Sequence, residues 1–276
     1  MSWSAQQQKM LAAMGLRVWA PPLEQPVDEV PLAAAPRAAA EFGQQAPQAP
    51  GAPAAPAALR DGAASSSASS GLDWPALRKA VAGCRACVLC ETRTQTVFGV
   101  GHPQAHWMVI GEAPGEQEDL QGEPFVGPAG QLLDRMLAAL NLTRASDGDA
   151  PPAQRVFIAN TLKCRPPRNR NPTPEELQRC EPFLMRQIEL VQPKIILAMG
   201  AFAVKALLRS DQPVGRLRGQ VHRYHGVPLV VTYHPAYLLR SLTEKAKAWE
   251  DLCLAAEVVE QADQHAPRAS AYRPPN

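Results

Sequence analysis

The sequence has no unbroken apolar run of the roughly 20 residues that a bilayer crossing takes. Its N-terminus has no basic-then-apolar pattern of a secretory signal, so the expected location is cytoplasmic, the cytosol and nucleoid of a bacterium, with no membrane partner. It also lacks a strong charge of either sign. A formal net charge of +2 does not announce nucleic-acid binding by itself, so any basic patch must be local. Residues 20–71 have almost no aromatic or β-branched residue and are rich in Pro, Ala, Ser and Gly. Such a segment cannot bury enough surface to offset its ordering entropy, and it reads as a disordered linker. Six cysteines in a reducing compartment point to metal or reactive thiols over a disulfide framework.

What is present falls into four stretches. Residues 1–19, MSWSAQQQKMLAAMGLRVW, read as a short amphipathic helix capped by Ser4 and ended by Gly15, a candidate docking peptide for a protein partner. The linker at 20–71 follows. Order resumes near Leu72 and runs to 264, and residues 265–276 read as a flexible tail. Within 72–264 short apolar runs alternate with helical patterns. The runs are Trp107–Ile110, Arg155–Ala159, Lys194–Met199 and Leu229–Thr232. Helices are expected from Asp73, over about 129–140, from Thr173 and over about 243–263. The strands lack polar alternation, which fits burial on both faces. The expected fold is α/β, three layers, with a central four-stranded mostly parallel sheet.

Three loops follow strand ends and carry the polar oddities: Glu112 to Phe125, Asn160 to Arg170, and His234 to Leu239. In a parallel sheet these ends share one edge, so the loops should converge there. Cys84 and Cys87 form a C-x2-C pair, and Cys164 and Cys180 a C-x15-C pair. Four such thiolates suit zinc or an iron–sulfur cluster, and spacing alone does not choose between them. Cys90 competes for membership, while Cys253 reads as an ordinary core thiol.

Four separated motifs then stand in order: GEAPG with EDLQGEPFVGPAG, NTLKCRPPRNRNP, HPAYLL, and the spaced cysteines. Together they resemble the family 4 uracil-DNA glycosylases, the iron–sulfur type, over about residues 72–260. The resemblance implies a [4Fe–4S] cluster on Cys84, Cys87, Cys164 and Cys180, leaving Cys90 outside. It implies hydrolysis of the N-glycosidic bond of deoxyuridine in single- or double-stranded DNA, and the protein is expected to be a monomer.

The residues suit that chemistry. A base must leave the stack before it is read. Phe125 offers a flat face, and Asn160 offers both a donor and an acceptor to a uracil edge. His234 offers one N–H to the oxygen that gains charge. The Gly111 backbone and the Glu112–Ala113 turn line the pocket by resemblance, and Glu112 is the candidate for holding water or supplying charge. Glu118 and Asp119 are candidates for capping a helix or ordering the loop. DNA contact is expected from Lys163, Arg165, Arg168 and Arg170. Leu238 or Leu239 would be the wedge that fills the gap left by the flipped base. A non-catalytic uracil- or damage-binding module is the rival reading. Covalent capture of the abasic sugar, as in relatives with a KRxxxH histidine, is not expected, since CRPPRNRNP has no histidine.

Overall fold

The structure, a computed structural model, describes residues 71–265. The helix expected over 1–19, the linker over 20–71 apart from Gly71, and the tail beyond His265 lie outside the described residues.

The chain enters through α1 (Trp74–Ala82), whose first turn is capped by Asp73: its Oδ1 accepts from the Ala76 N–H at 2.9 Å. The order continues β1 (Val100–Gly101), β2 (Trp107–Gly111), α2 (Glu116–Gln121), α3 (Pro128–Ala139), β3 (Val156–Asn160) and α4 (Pro174–Val191). Then come β4 (Ile195–Met199), α5 (Ala201–Leu208), α6 (Val214–Leu217), β5 (Val221–Tyr224), β6 (Val227–Thr232), α7 (Pro235–Leu238) and α8 (Glu244–His265). Thr173 and Glu176 form a reciprocal cap at the start of α4.

The sheet order is β1-β3-β2-β4-β6-β5. The inner four strands are parallel, as the apolar runs predict. Two short antiparallel strands extend the edges, giving six strands where the sequence reading expects four. The reason is physical. β1 has only two residues, and β5 alternates exposed and covered positions instead of forming an apolar run.

Each inner strand divides its side chains between two cores. On one face Trp107, Val109, Val156, Ile158, Ile195 and Leu197 pack against α3 and α8. On the other, Met108, Ile110, Phe157, Ala159, Ile196 and Ala198 pack against α1, α4 and α5. Three layers follow from this period of two. A third, smaller cluster joins Leu89, Leu162, Cys164, Leu177 and Cys180 beside the sheet edge, with Ala113 packed on it.

Candidate active site and thiol cluster

β2 and β3 end in register, Gly111 opposite Asn160. Both stand on the face that carries Val109 and Ile158, the α3 and α8 side. The loop after β2 climbs through α2 and returns at Phe125. Glu118 orders it: Oε2 accepts from the Gly115 N–H at 3.0 Å and Oε1 from the Val126 N–H at 3.1 Å. Asp119, 2% exposed, accepts from the Thr94 N–H with both oxygens. These two acids are therefore loop struts, as expected of them.

His234 comes from β6, which is separated from β2 by β4. Its loop crosses the end of β4 at Gly200, where a Cβ would lie 3.1 Å from the His234 Cβ. The imidazole reaches the Phe125 ring, with centroids 5.3 Å apart and planes 27° from parallel. The Ala236 backbone N–H donates to His234 Nδ1 at 3.2 Å. A nitrogen that accepts has no proton, so the neutral ring carries its hydrogen on Nε2. Burial holds the ring neutral by lowering its pKa to about 4. Burial also pushes the Glu112 carboxyl up to about 7.

The three loops converge, as the sheet topology predicts. One open cavity of about 500 Å³ is lined by Glu112, Ala113, Phe125, Asn160, Arg170 and His234 among others. Gly111 lies against two of the lining groups: a Cβ there would come 2.5 Å from Asn160 Oδ1 and 2.7 Å from Phe125 Cζ. Arg240 also lines the cavity; the sequence reading missed it because it falls just past the HPAYLL run.

Two of the proposed DNA contacts need correction. Lys163 is 1% exposed, and its Nζ donates to the Asn160 carbonyl at 2.8 Å and to Gln187 Oε1 at 2.6 Å. It is an internal brace, out of reach of phosphate, and burial lowers its pKa to about 8. Leu238 is 0% exposed and packs in the α3–α8 core, so it cannot wedge into DNA. Leu239, the next residue, is 43% exposed. Arg168 is exposed, and Pro166 and Asn169 near it in the chain line the cavity. Arg165 donates to Asn169 Oδ1 at 2.8 Å. Arg170 grips the buried Glu176 with both Nη atoms, which braces the loop and commits much of its donor capacity.

The cysteines gather around one void. Cys84, Cys87, Cys90, Cys164 and Cys180 all line it, and all are free thiols. Cys164 Sγ accepts from Arg93 Nη1 at 2.9 Å, and Cys180 Sγ from the Lys163 N–H at 3.2 Å. Burial pushes the Cys87 thiol up to about 11 and the Cys180 thiol up to about 12. As thiolates these sulfurs need a positive centre beside them. Among the described residues no group of three or more His, Cys, Asp or Glu closes around a single metal ion. Zinc would draw four sulfurs to about 3.8 Å from one another, given its bond length of about 2.3 Å. Arg93 was missed in sequence because a lone arginine between polar residues carries no pattern.

Comparison with known proteins agrees with this geometry. The model of the uracil DNA glycosylase superfamily matches residues 98–253. A type-4 uracil-DNA glycosylase of Archaeoglobus fulgidus is 41% identical over 167 residues, 58% of this chain and 79% of that protein. One from Pyrobaculum aerophilum is 39% identical over 191 residues, 66% of this chain and 93% of its own. One from Thermotoga maritima is 39% identical over 166 residues, 59% and 82%. A family model that matches more than half of this chain, and relatives at 39–41% identity, establish that the chain belongs to the uracil-DNA glycosylase superfamily, in its type-4 family.

Proposed function

We propose that this protein removes uracil from DNA by hydrolysing the N-glycosidic bond of an extruded deoxyuridine, leaving an abasic site for base excision repair. The observation that carries the reading is the meeting of Phe125, Asn160 and His234 in one cavity, with Gly111 packed against the first two. Phe125 stacks on the base, and the Asn160 amide reads its edge. Its 3% exposure makes a mismatched edge costly, since a buried amide left unpaired loses its water without compensation.

As the C1′–N1 bond breaks, its electron pair leaves with the uracil. His234 Nε2–H donates to the oxygen where that charge gathers, and it keeps its proton. The sugar becomes cation-like, and ionised Glu112 stabilises it or takes a proton from the water that adds to C1′. Exposed Arg168, together with Arg165 and Arg170, tracks phosphates, and Leu239 fills the space the base vacates.

Cys84, Cys87, Cys164 and Cys180 would hold a [4Fe–4S] cluster, with Cys90 outside the set. The group would supply a cross-link that pins the Asn160 loop to α4 and both to the turn after α1. The protein would act as a monomer. Residues 1–19 would serve as a docking peptide on the tether that follows, recruiting the domain to a protein partner. No helix among the described residues is long and apolar enough to cross a membrane.

The test is iron quantitation paired with a uracil-release assay on single-stranded and U·G duplex oligonucleotides. A brown protein that frees uracil without cutting the strand is the expected result. A colourless protein that retains uracil-DNA unchanged would favour a binding module instead.

A further inference from the structure

Arg144 lies outside every motif, in the connection between α3 and β3. Its Nη1 donates to the Pro124 carbonyl and its Nη2 to the Phe125 carbonyl, each at 3.0 Å. Nη2 also meets Asp134 Oδ2 at 2.8 Å. The peptide it grips is unusual. Phe125 has φ +56°, a left-handed conformation that costs a bulky residue. Beneath it, α3 approaches so closely that a Cβ on Gly130 would lie 1.7 Å from the Phe125 carbonyl oxygen. Such a backbone persists only where its surroundings over-determine it. A planar guanidinium that donates to two successive carbonyls does so, and Asp134 aims the guanidinium.

We propose that Arg144 is a positioning residue for base recognition: it clamps the Pro124–Phe125 backbone so that the Phe125 ring stands where the extruded uracil must stack. The inference rests on the function proposed above. It extends the uracil site to a residue that touches neither base nor DNA.

The experiment measures single-turnover release, KM for uracil-containing oligonucleotide and inhibition by free uracil in wild type, Arg144→Ala, Arg144→Lys and Asp134→Asn. Wild-type release comes first; its absence would sink the function, and the clamp is then decided by binding of free uracil, which Arg144→Ala should weaken and which at wild-type strength overturns it. In Arg144→Ala the single-turnover rate should fall by about 10²-fold, the cost of a misplaced reacting group. KM should stay within about twofold, because phosphate contacts hold the DNA. Free uracil should inhibit this variant more weakly. Added guanidinium ion should restore much of the rate, a rescue that general destabilisation would not show. Arg144→Lys, which keeps the charge and one donor, should fall between, and Asp134→Asn should follow the same direction more mildly. Two outcomes overturn the proposal. One is wild-type rate and uracil inhibition in Arg144→Lys and Arg144→Ala. The other is a loss that tracks DNA binding and ignores guanidinium. Should the alanine variant not fold, the lysine variant alone decides by the same two readings.

Discussion

Gly111 and Asn160 face each other across two parallel strands, and the space that Gly111 leaves is taken up by the Asn160 amide and the Phe125 ring. A methyl group at Gly111 would sit 2.5 Å from Asn160 Oδ1. Gly111→Ala should therefore slow uracil release by about 10²-fold through displacement of both reading groups. The overpacking should also lower stability by about 1–3 kcal/mol. Unaltered release would show that the amide is not read where we place it.

The two titrating groups of the pocket predict the pH profile. Burial raises Glu112 to about 7 and lowers His234 to about 4. In the proposed mechanism Glu112 works as the carboxylate, so activity should climb as pH rises through about 7. His234 is neutral throughout that window. Glu112→Gln should flatten the limb, while His234→Ala should cut the rate by about 10²–10³-fold without moving it. A limb that survives in Glu112→Gln assigns the ionisation elsewhere.

Lys163 and Arg168 separate bracing from phosphate contact. Arg168→Ala should weaken binding across all sequences and reduce the salt slope by about 1. Lys163→Met should leave that slope alone. It should instead destabilise the domain by about 1–3 kcal/mol for each buried acceptor it strands, the Asn160 carbonyl and Gln187 Oε1. Chemical unfolding and salt-dependent binding read the two effects independently.

Leu238 and Leu239 are neighbours with opposite fates. Leu239→Ala should impair release from duplex DNA more than from single strands, since only the duplex needs the gap filled. Leu238→Ala should cost about 2–5 kcal/mol of stability, with no preference between the two substrates. Equal losses on both substrates for Leu239→Ala would remove it from the wedge role, leaving exposed Tyr237 as the next residue to test.

For the thiols, Cys164→Ala should lose iron and visible absorbance and lower the melting temperature. Cys90→Ala should keep both. The reverse pattern would place Cys90 in the ligand set, which its position on the same void permits.

The sequence carried the inner sheet and the meeting of the three loops, because buried parallel strands read as apolar runs and their C-terminal ends share one edge. It did not reveal Lys163. That residue sits in a string of cations, yet Thr161 to Cys164 run inward before the chain turns out at Pro167. Nor did it part Leu238 from Leu239, which a single step of about 100° around a short helix sends to opposite surroundings. Arg144 was invisible because its partners are backbone carbonyls, which no side-chain pattern announces.

The register of β3 has a consequence for how this gene can change. Side chains on a strand alternate faces, so inserting or deleting one codon between Val156 and Asn160 would turn the Asn160 amide into the opposite layer. Length variation in descendants should therefore gather in surface connections such as 145–150 and stay out of this five-residue strand.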